Sequence, residues 1–204
     1  MKPKGNWQDS HTRRAKKQGF PARSVYKLEE LQNKYRILGS GHKVLDLGCA
    51  PGSWLLYAAK VASPGGHVLG IDIQEVQLPE NTPARVMQAD IFDLSPAQLE
   101  EIGAGYDVVL SDMAPNTTGI RGVDALRSVA LCEHALDLAD RVLSPGGTFV
   151  CKIFQGAGFD QFLAEVKKQY GKHKVIKPQT TRKKSKEIYI IGFNKQGGNH
   201  VRSQ

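Results

Sequence analysis

Apolar positions along this 204-residue chain follow two alternating rhythms. Short, nearly continuous apolar runs at Val44–Leu47, Val68–Ile73, Ala84–Ala89, Tyr106–Ser111 and Thr148–Ile153 predict strands buried on both faces. Between them, apolar residues recur at three- and four-residue spacing, which predicts helices over Trp54–Val61, Pro96–Ile102, Val123–Leu143 and Phe159–Tyr170. Ser144-Pro145-Gly146-Gly147 closes the third of these. An earlier helix is predicted over Ala22–Arg36, with Val25, Leu28, Leu31 and Tyr35 near one face, Ser24 as its cap and Lys27 off the apolar stripe. Lys174–Lys177 and Glu187–Phe193 read as the last two strands. The loop between them holds no helix and is shorter than the dozen or so residues a parallel crossover needs, so this pair is predicted antiparallel. The whole is an α/β, Rossmann-like pattern: a mostly parallel seven-stranded sheet with one antiparallel strand and helices on both faces. Residues 1–20 show no apolar period. The expected division is a basic flexible arm over 1–21, a single domain over 22–193 and a flexible tail over 194–204.

The stretch Val44–Trp54 joins the first strand to the next helix through Gly48, Pro51 and Gly52. Strand, glycine turn, helix is the unit that binds nucleotide-like ligands at the carboxyl edge of a parallel sheet, because a Cβ in the turn would meet the ligand. A dinucleotide site uses G-x-G-x-x-G to cradle a pyrophosphate. Here the spacing is G-x-x-x-G with a proline inside, a wider loop with fewer N–H groups to offer a phosphate. It suits an adenosyl ligand without phosphates, S-adenosylmethionine (SAM). Asp72, 20 residues beyond Gly52, ends the next strand and can take ribose hydroxyls. The alternative is a structural turn with no ligand.

Three more strand ends carry charged residues: Asp90, Asp112 and Lys152. Any one strand-end aspartate can simply cap the following helix. Four such ends around one crevice point instead to a ligand, with Asp90 able to accept from an adenine amino group and Asp112 able to hold the cationic amino-acid end of SAM. Trp54 would wall the crevice, or pack a helix. Lys152 stands among Val150, Ile153 and Phe154, where a lysine is rare unless paired or functional; snorkelling at a strand end is the alternative.

Charge is strongly segregated. Residues 1–36 carry 10 Lys/Arg and 3 Asp/Glu, residues 37–166 carry 7 and 16, and residues 167–204 carry 11 and 1. Two basic flanks around an acidic middle point to a polyanion partner, nucleic acid, rather than to a mixed solvated surface. The three cysteines are scattered and odd in number, as expected of reduced thiols in a cytoplasm. No apolar run approaches a membrane span, and Met1–Gln18 has no secretory h-region. The histidines do not cluster with other ligands, so no metal is expected.

Five motifs in fixed order, Ser-Val-Tyr-Lys-Leu (24–28), Asp-Leu-Gly-Cys-Ala-Pro-Gly-Ser-Trp (46–54), Ser-Asp-Met-Ala-Pro-Asn (111–116), Lys-Ile-Phe-Gln-Gly (152–156) and Ser-Lys-Glu-Ile-Tyr (185–189), resemble the FtsJ-type RNA 2′-O-ribose methyltransferases from about Ala22 to Phe193. The resemblance implies the SAM-dependent methyltransferase version of the fold. It also implies a catalytic tetrad of Lys27, Asp112, Lys152 and Glu187, and SAM contacts at Gly52, Trp54, Asp72, Asp90 and Asp112. The implied target is a uridine of 23S ribosomal RNA in the large ribosomal subunit, and the implied state is a cytoplasmic monomer. Transfer RNA as target, or a non-catalytic RNA-binding protein on this scaffold, are the alternatives. Two positions depart from the family pattern: Ser53 where glycine is frequent, expected to narrow the loop, and Lys186 where arginine is common. The implied reaction is attack of a ribose 2′-oxygen on the sulfonium methyl, with Lys152 either as base or as a cation that steers the hydroxyl. Lys167–Lys186 and the first 20 residues are expected to meet phosphates rather than read bases.

Overall fold

The computed structural model describes residues 6–182 and 185–197, with the backbone alone for 6–9. Strands β1 (Lys43–Leu47), β2 (His67–Asp72), β3 (Ala84–Gln88), β4 (Tyr106–Ser111), β5 (Leu143–Phe154), β6 (Tyr170–Ile176) and β7 (Glu187–Lys195) form one sheet in the order β3-β2-β1-β4-β5-β7-β6. The first five pair in parallel, and β7 runs antiparallel to both of its neighbours. The reversed strand is therefore last in sequence but second from the edge. A short loop can join β6 to β7 only as a hairpin, and β7 slots between β6 and β5.

The described residues form six helices, α1 (Asn6–Lys17), α2 (Val25–Tyr35), α3 (Ser53–Ala62), α4 (Pro96–Ile102), α5 (Arg121–Val142) and α6 (Phe159–Gln169), with α1 packed on α2. Alternation along each strand sorts two cores. Leu45, Leu47, Val109, Phe149 and Ile153 face α5 and α6, where Ala135, Leu136, Phe162 and Val166 meet them. Val44, Val108, Leu110, Val150 and Tyr189 face α2 and α3, where Leu28, Leu31, Leu55 and Ala58 close the layer. Gly70, opposite Asp46 on β2, lies under α3; a Cβ there would come within 2.7 Å of Cys49 Sγ and 3.0 Å of Leu55 Cδ1.

The chain ends differ from expectation. Residues 6–17 of the expected flexible arm are helical, and Ala15 is fully buried with Val25 and Tyr26, with Phe20 packed alongside. The Arg14 guanidinium lies 5.0 Å above the Tyr26 ring. Among the described side chains of α1 (residues 10–17) Ala15 is a small apolar anchor, too little to mark a period, and it packs on α2. At the other end Asn194 and Lys195 belong to β7, and residues 198–204 of the expected tail lie outside the described residues. Helix α2 begins at Val25, not Ala22, and the Ser24 side chain makes no cap bond. Residues 22–24 form turns, and Ala22 is held at both polar groups by Ser53, whose Oγ accepts from Ala22 N (2.7 Å) and donates to Ala22 O (3.1 Å).

Asp46, the sole polar residue inside β1, is fully buried, and neither carboxyl oxygen has a hydrogen-bond partner among the described residues. Burial first, then the charges of Asp112 and Asp72, push its carboxyl well above the ordinary 3.8. An acid raised in this way holds its proton in the folded chain to higher pH than in the unfolded chain, so it lowers stability as pH rises above 3.8. Asp46→Asn removes that titration. The variant should be more stable than the parent at neutral pH by about 1 kcal/mol or more, the worth of one pKa unit. The gap should close on acidification, read as urea midpoints across pH. A gap that is absent or reversed at neutral pH would refute the assignment.

Candidate active site

The sheet order fixes where a ligand can enter. The chain steps outward from β1 through β2 to β3, then returns to β4 and β5 on the other side, so a crevice opens at the carboxyl ends of β1 and β4. Gly48 ends β1 with φ +71°, and a Cβ on it would collide with Met113 beyond β4. The amides of Gly48 and Cys49 both donate to Ile71 O (2.8 and 3.2 Å), which ties the turn to β2. Gly52 starts α3 at φ +103°.

The crevice has a volume of about 530 Å³ and is lined among others by Gly48, Asp72, Asp90, Phe92, Met113 and Arg127. Asp72 accepts from Ala50 N (2.8 Å) and Gln74 N (2.9 Å), and Asp90 from Phe92 N (2.9 Å). Ile73 and Phe92 flank these acids and are 64% and 48% exposed, high for such side chains. Two carboxylates between apolar walls favour a ligand with hydroxyl or amino donors on a flat apolar body, and they repel phosphates. Arg127, the cation on this wall, donates to Asn116 O (3.2 Å). The donor set fits the adenosyl part of SAM, with Asp72 and Asp90 as the polar contacts.

The other three residues expected on the cofactor take different places. Gly52 lies in the loop itself, where a Cβ would stand 3.2 Å from Val76. Trp54 is buried: its Nε1 donates to Ser24 O (2.9 Å) and its ring stacks on Tyr189 at 5.7 Å, so helix packing is its visible task rather than a crevice wall. The Asp112 carboxylate turns toward the α2–α3 face. Its Oδ1 accepts from Tyr189 OH (2.6 Å) and pairs with Lys152 Nζ (3.1 Å).

Around Asp112 the four tetrad residues come together from four elements. Lys152, on the α2–α3 face of β5 and 6% exposed, also donates to the Asp112 backbone carbonyl (2.5 Å). Lys27 on α2 donates to Glu187 Oε2 at the start of β7 (2.8 Å). Tyr189 links the two ion pairs. It is the register partner of Lys152, its hydroxyl holds Asp112, and its ring lies 5.8 Å below Lys27 Nζ. Burial pushes the Tyr189 hydroxyl up, and Asp112 pushes it further, so it stays a donor. Burial also acts to raise Glu187. The charge and hydrogen bond of Lys27, with Lys152 and Ser185, outweigh it and hold the carboxyl below its ordinary value of 4.5.

Beside this cluster, Arg23, Ser24, Lys27, Arg182, Ser185 and Glu187 line a second cavity of about 550 Å³. The Arg23 guanidinium is lowered by burial and then by the charge of Arg182, as two cations facing one space would be. Among the described residues no three or more His, Cys, Asp or Glu side chains gather as metal ligands would.

Sequence reasoning missed Tyr189, Ser53 and Arg23 as parts of the site, while Arg182 falls within Lys167–Lys186, the stretch expected to meet phosphates. Tyr189 had a signal, since it falls two residues after Glu187 on the same strand face. Ser53 had none: its hydroxyl turns away from the crevice to Ala22, so it tethers α2 instead of narrowing the loop.

Comparison with known proteins agrees with this geometry. Residues 20–195 match the model of the FtsJ-like methyltransferases. The chain is 57% identical over 202 residues to ribosomal RNA large subunit methyltransferase E of Desulfatibacillum aliphaticivorans, covering 99% of this chain and 98% of that protein. It is 52% identical over 198 residues to the protein of the same name from Desulforapulum autotrophicum, covering 96% and 97%. A crystal structure of a Plasmodium falciparum protein described as a ribosomal RNA methyltransferase superposes with a TM-score of 0.76 at 27% identity, covering 87% of this chain and 99% of that one. With the fold, the crevice and the sequence in accord, the chain belongs to the FtsJ-like methyltransferase family and is a methyltransferase.

Proposed function

We propose that this enzyme transfers a methyl group from SAM to a ribose 2′-oxygen of RNA, the target being a uridine of 23S ribosomal RNA in the large ribosomal subunit. The observation that carries the proposal is the pairing of Lys152 with Asp112 and of Lys27 with Glu187, brought together from separate parts of the chain, at the edge of the crevice lined by Asp72 and Asp90. The names of the relatives support the ribosomal target. A cytoplasmic monomer, with one catalytic domain over 22–193 and a basic flank on each side, goes with this reading.

SAM, when bound, supplies an electrophilic methyl on a sulfonium centre. Asp72 and Asp90, on the crevice beside the Gly48–Gly52 loop, would hold its adenosine. Trp54 supports that loop from below, and Asp112 stands between cofactor and lysine. Lys152 meets the ribose hydroxyl. Two acceptors of Asp112 fix its Nζ, which leaves its third position for the substrate: as an ammonium it steers the 2′-oxygen with the remaining N–H, and as the free amine it takes the hydroxyl's proton on its lone pair. Lys27, braced by Glu187, faces the cavity with Arg23 and Arg182, where the sugar–phosphate chain would lie. Much of the rate then comes from holding two reactants in line.

Methyl transfer from radiolabelled SAM to large subunits, naked ribosomal RNA and transfer RNA, followed by nuclease mapping, tests the proposal. Label on a 2′-O-methylated nucleotide of the large subunit is expected. Label on transfer RNA replaces the target, and no label with SAM still bound leaves an RNA-binding scaffold. Lys152→Ala should lose about 10²–10⁴-fold in kcat, the range for a general base, with SAM affinity nearly intact. A loss of only a few-fold would remove Lys152 from the role.

The lowered Glu187 carboxyl gives a pH test. Its stabilising pairing with Lys27 is fully present above the ordinary 4.5 and is lost only as pH falls through a lower value. The stability difference between the parent and Glu187→Gln should therefore be constant from neutral pH down to 4.5 and shrink below it. A difference that fades well above 4.5 would show that the pair does not hold the carboxyl ionised.

A further inference from the structure

Glu30 is an acid where charge alone would not put one. It lies on α2 three residues after Lys27, on the side of the molecule assigned above to RNA. A carboxylate there repels a polyanion. Its oxygens are engaged: Oε1 accepts from Gln179 N (2.8 Å), and Oε2 from Thr180 N and Thr180 Oγ1 (both 3.2 Å). All three donors belong to the loop between β6 and β7, some 150 residues away in sequence.

That loop is basic and is closed on itself. Lys177 Nζ donates to Ser185 O (2.5 Å), Thr181 N to Pro178 O (3.0 Å) and Ser185 N to Arg182 O (2.9 Å). Arg182, near its middle, lines the cavity that also holds Arg23 and Lys27. Helix α2 thus grips the loop at two points one turn apart: a cation, Lys27, takes Glu187 where the loop ends, and an anion, Glu30, takes Gln179 and Thr180 near where it begins. Backbone N–H groups bonded to a carboxylate are held more strongly than by a neutral acceptor.

We propose that Glu30 is a positioning residue for the RNA substrate: it fixes the β6–β7 loop on α2 and so sets Arg182 opposite Arg23 to receive a backbone phosphate. The proposal rests on the RNA reading above. Glu30 touches neither cofactor nor reacting atoms and acts through Arg182.

The test compares the full chain with Glu30→Ala, Glu30→Gln, Arg182→Ala and the Glu30→Ala/Arg182→Ala double variant, with the RNA that the parent methylates. Glu30→Ala should raise KM for RNA about tenfold and reduce the salt slope of binding by about one, as losing one phosphate contact does. Its kcat should stay within a few-fold and its SAM affinity should not change. Glu30→Gln, which keeps one acceptor oxygen, should fall between. Arg182→Ala should match Glu30→Ala, and the double variant should be no worse than either. If Glu30 were only a surface charge, its removal would tighten RNA binding, which would overturn the proposal; so would additive losses in the double variant. Hydrogen exchange at residues 177–182 of the free protein reads the anchor without RNA, and protection unchanged by Glu30→Ala would sink the proposal whether or not the parent methylates RNA. If the parent methylates none while the loop loosens, it is the RNA reading that fails.

Discussion

A lysine head group placed inside a sheet is costly unless an opposite charge meets it there. Lys152 is such a group, on an interior strand and nearly without solvent. Its charge is answered by Asp112, which must follow β4 directly to reach it, and Asp112 is in turn held by Tyr189 from the reversed strand. Placing β7 next to β5 is therefore what completes the site. It brings Tyr189 opposite Lys152 and Glu187 opposite Phe154, and Glu187 then draws in Lys27 and the helix that carries it. Helix α2, the β6–β7 loop and the glycine turn are arranged around one buried ion pair.

The acidic middle and basic flanks of the chain become two surfaces with different chemistry. The crevice on the α5 side collects Asp72 and Asp90 and suits a sulfonium-bearing ligand. The cavity on the α2 side collects Arg23, Lys27 and Arg182 and suits a phosphodiester. Asp112 stands between them, its carboxylate on the lysine side and its neighbour Met113 on the crevice side. A cationic ligand and a polyanion would each meet a field that attracts one and rejects the other.

The sheet was legible because its parallel strands are buried on both faces and read as plain apolar runs. Lys152 was legible for the same reason, as a cation in such a run. Asp112 was only half legible. It lies just past the last paired residue of β4, where strand alternation no longer dictates direction, so its place at the strand end was legible while the face its carboxylate takes was not. Helix α1 was hidden because Ala15 is too small to mark a stripe, and its docking partners Tyr26 and Phe20 lie outside it. The roles of Ser53 and Glu30 depend on partners 31 and about 150 residues distant, which no local pattern encodes.

Ser53 bears on how the two substrates keep their distance. One hydroxyl, both donating and accepting, joins the first turn of α3 to the segment that leads into α2. The glycine loop and the helix bearing Lys27 are thereby joined by two hydrogen bonds of one side chain, in addition to the packing of α2 on α3 on the same face of the sheet. The spacing between the glycine loop and the helix that carries Lys27 is thus set by a single side chain.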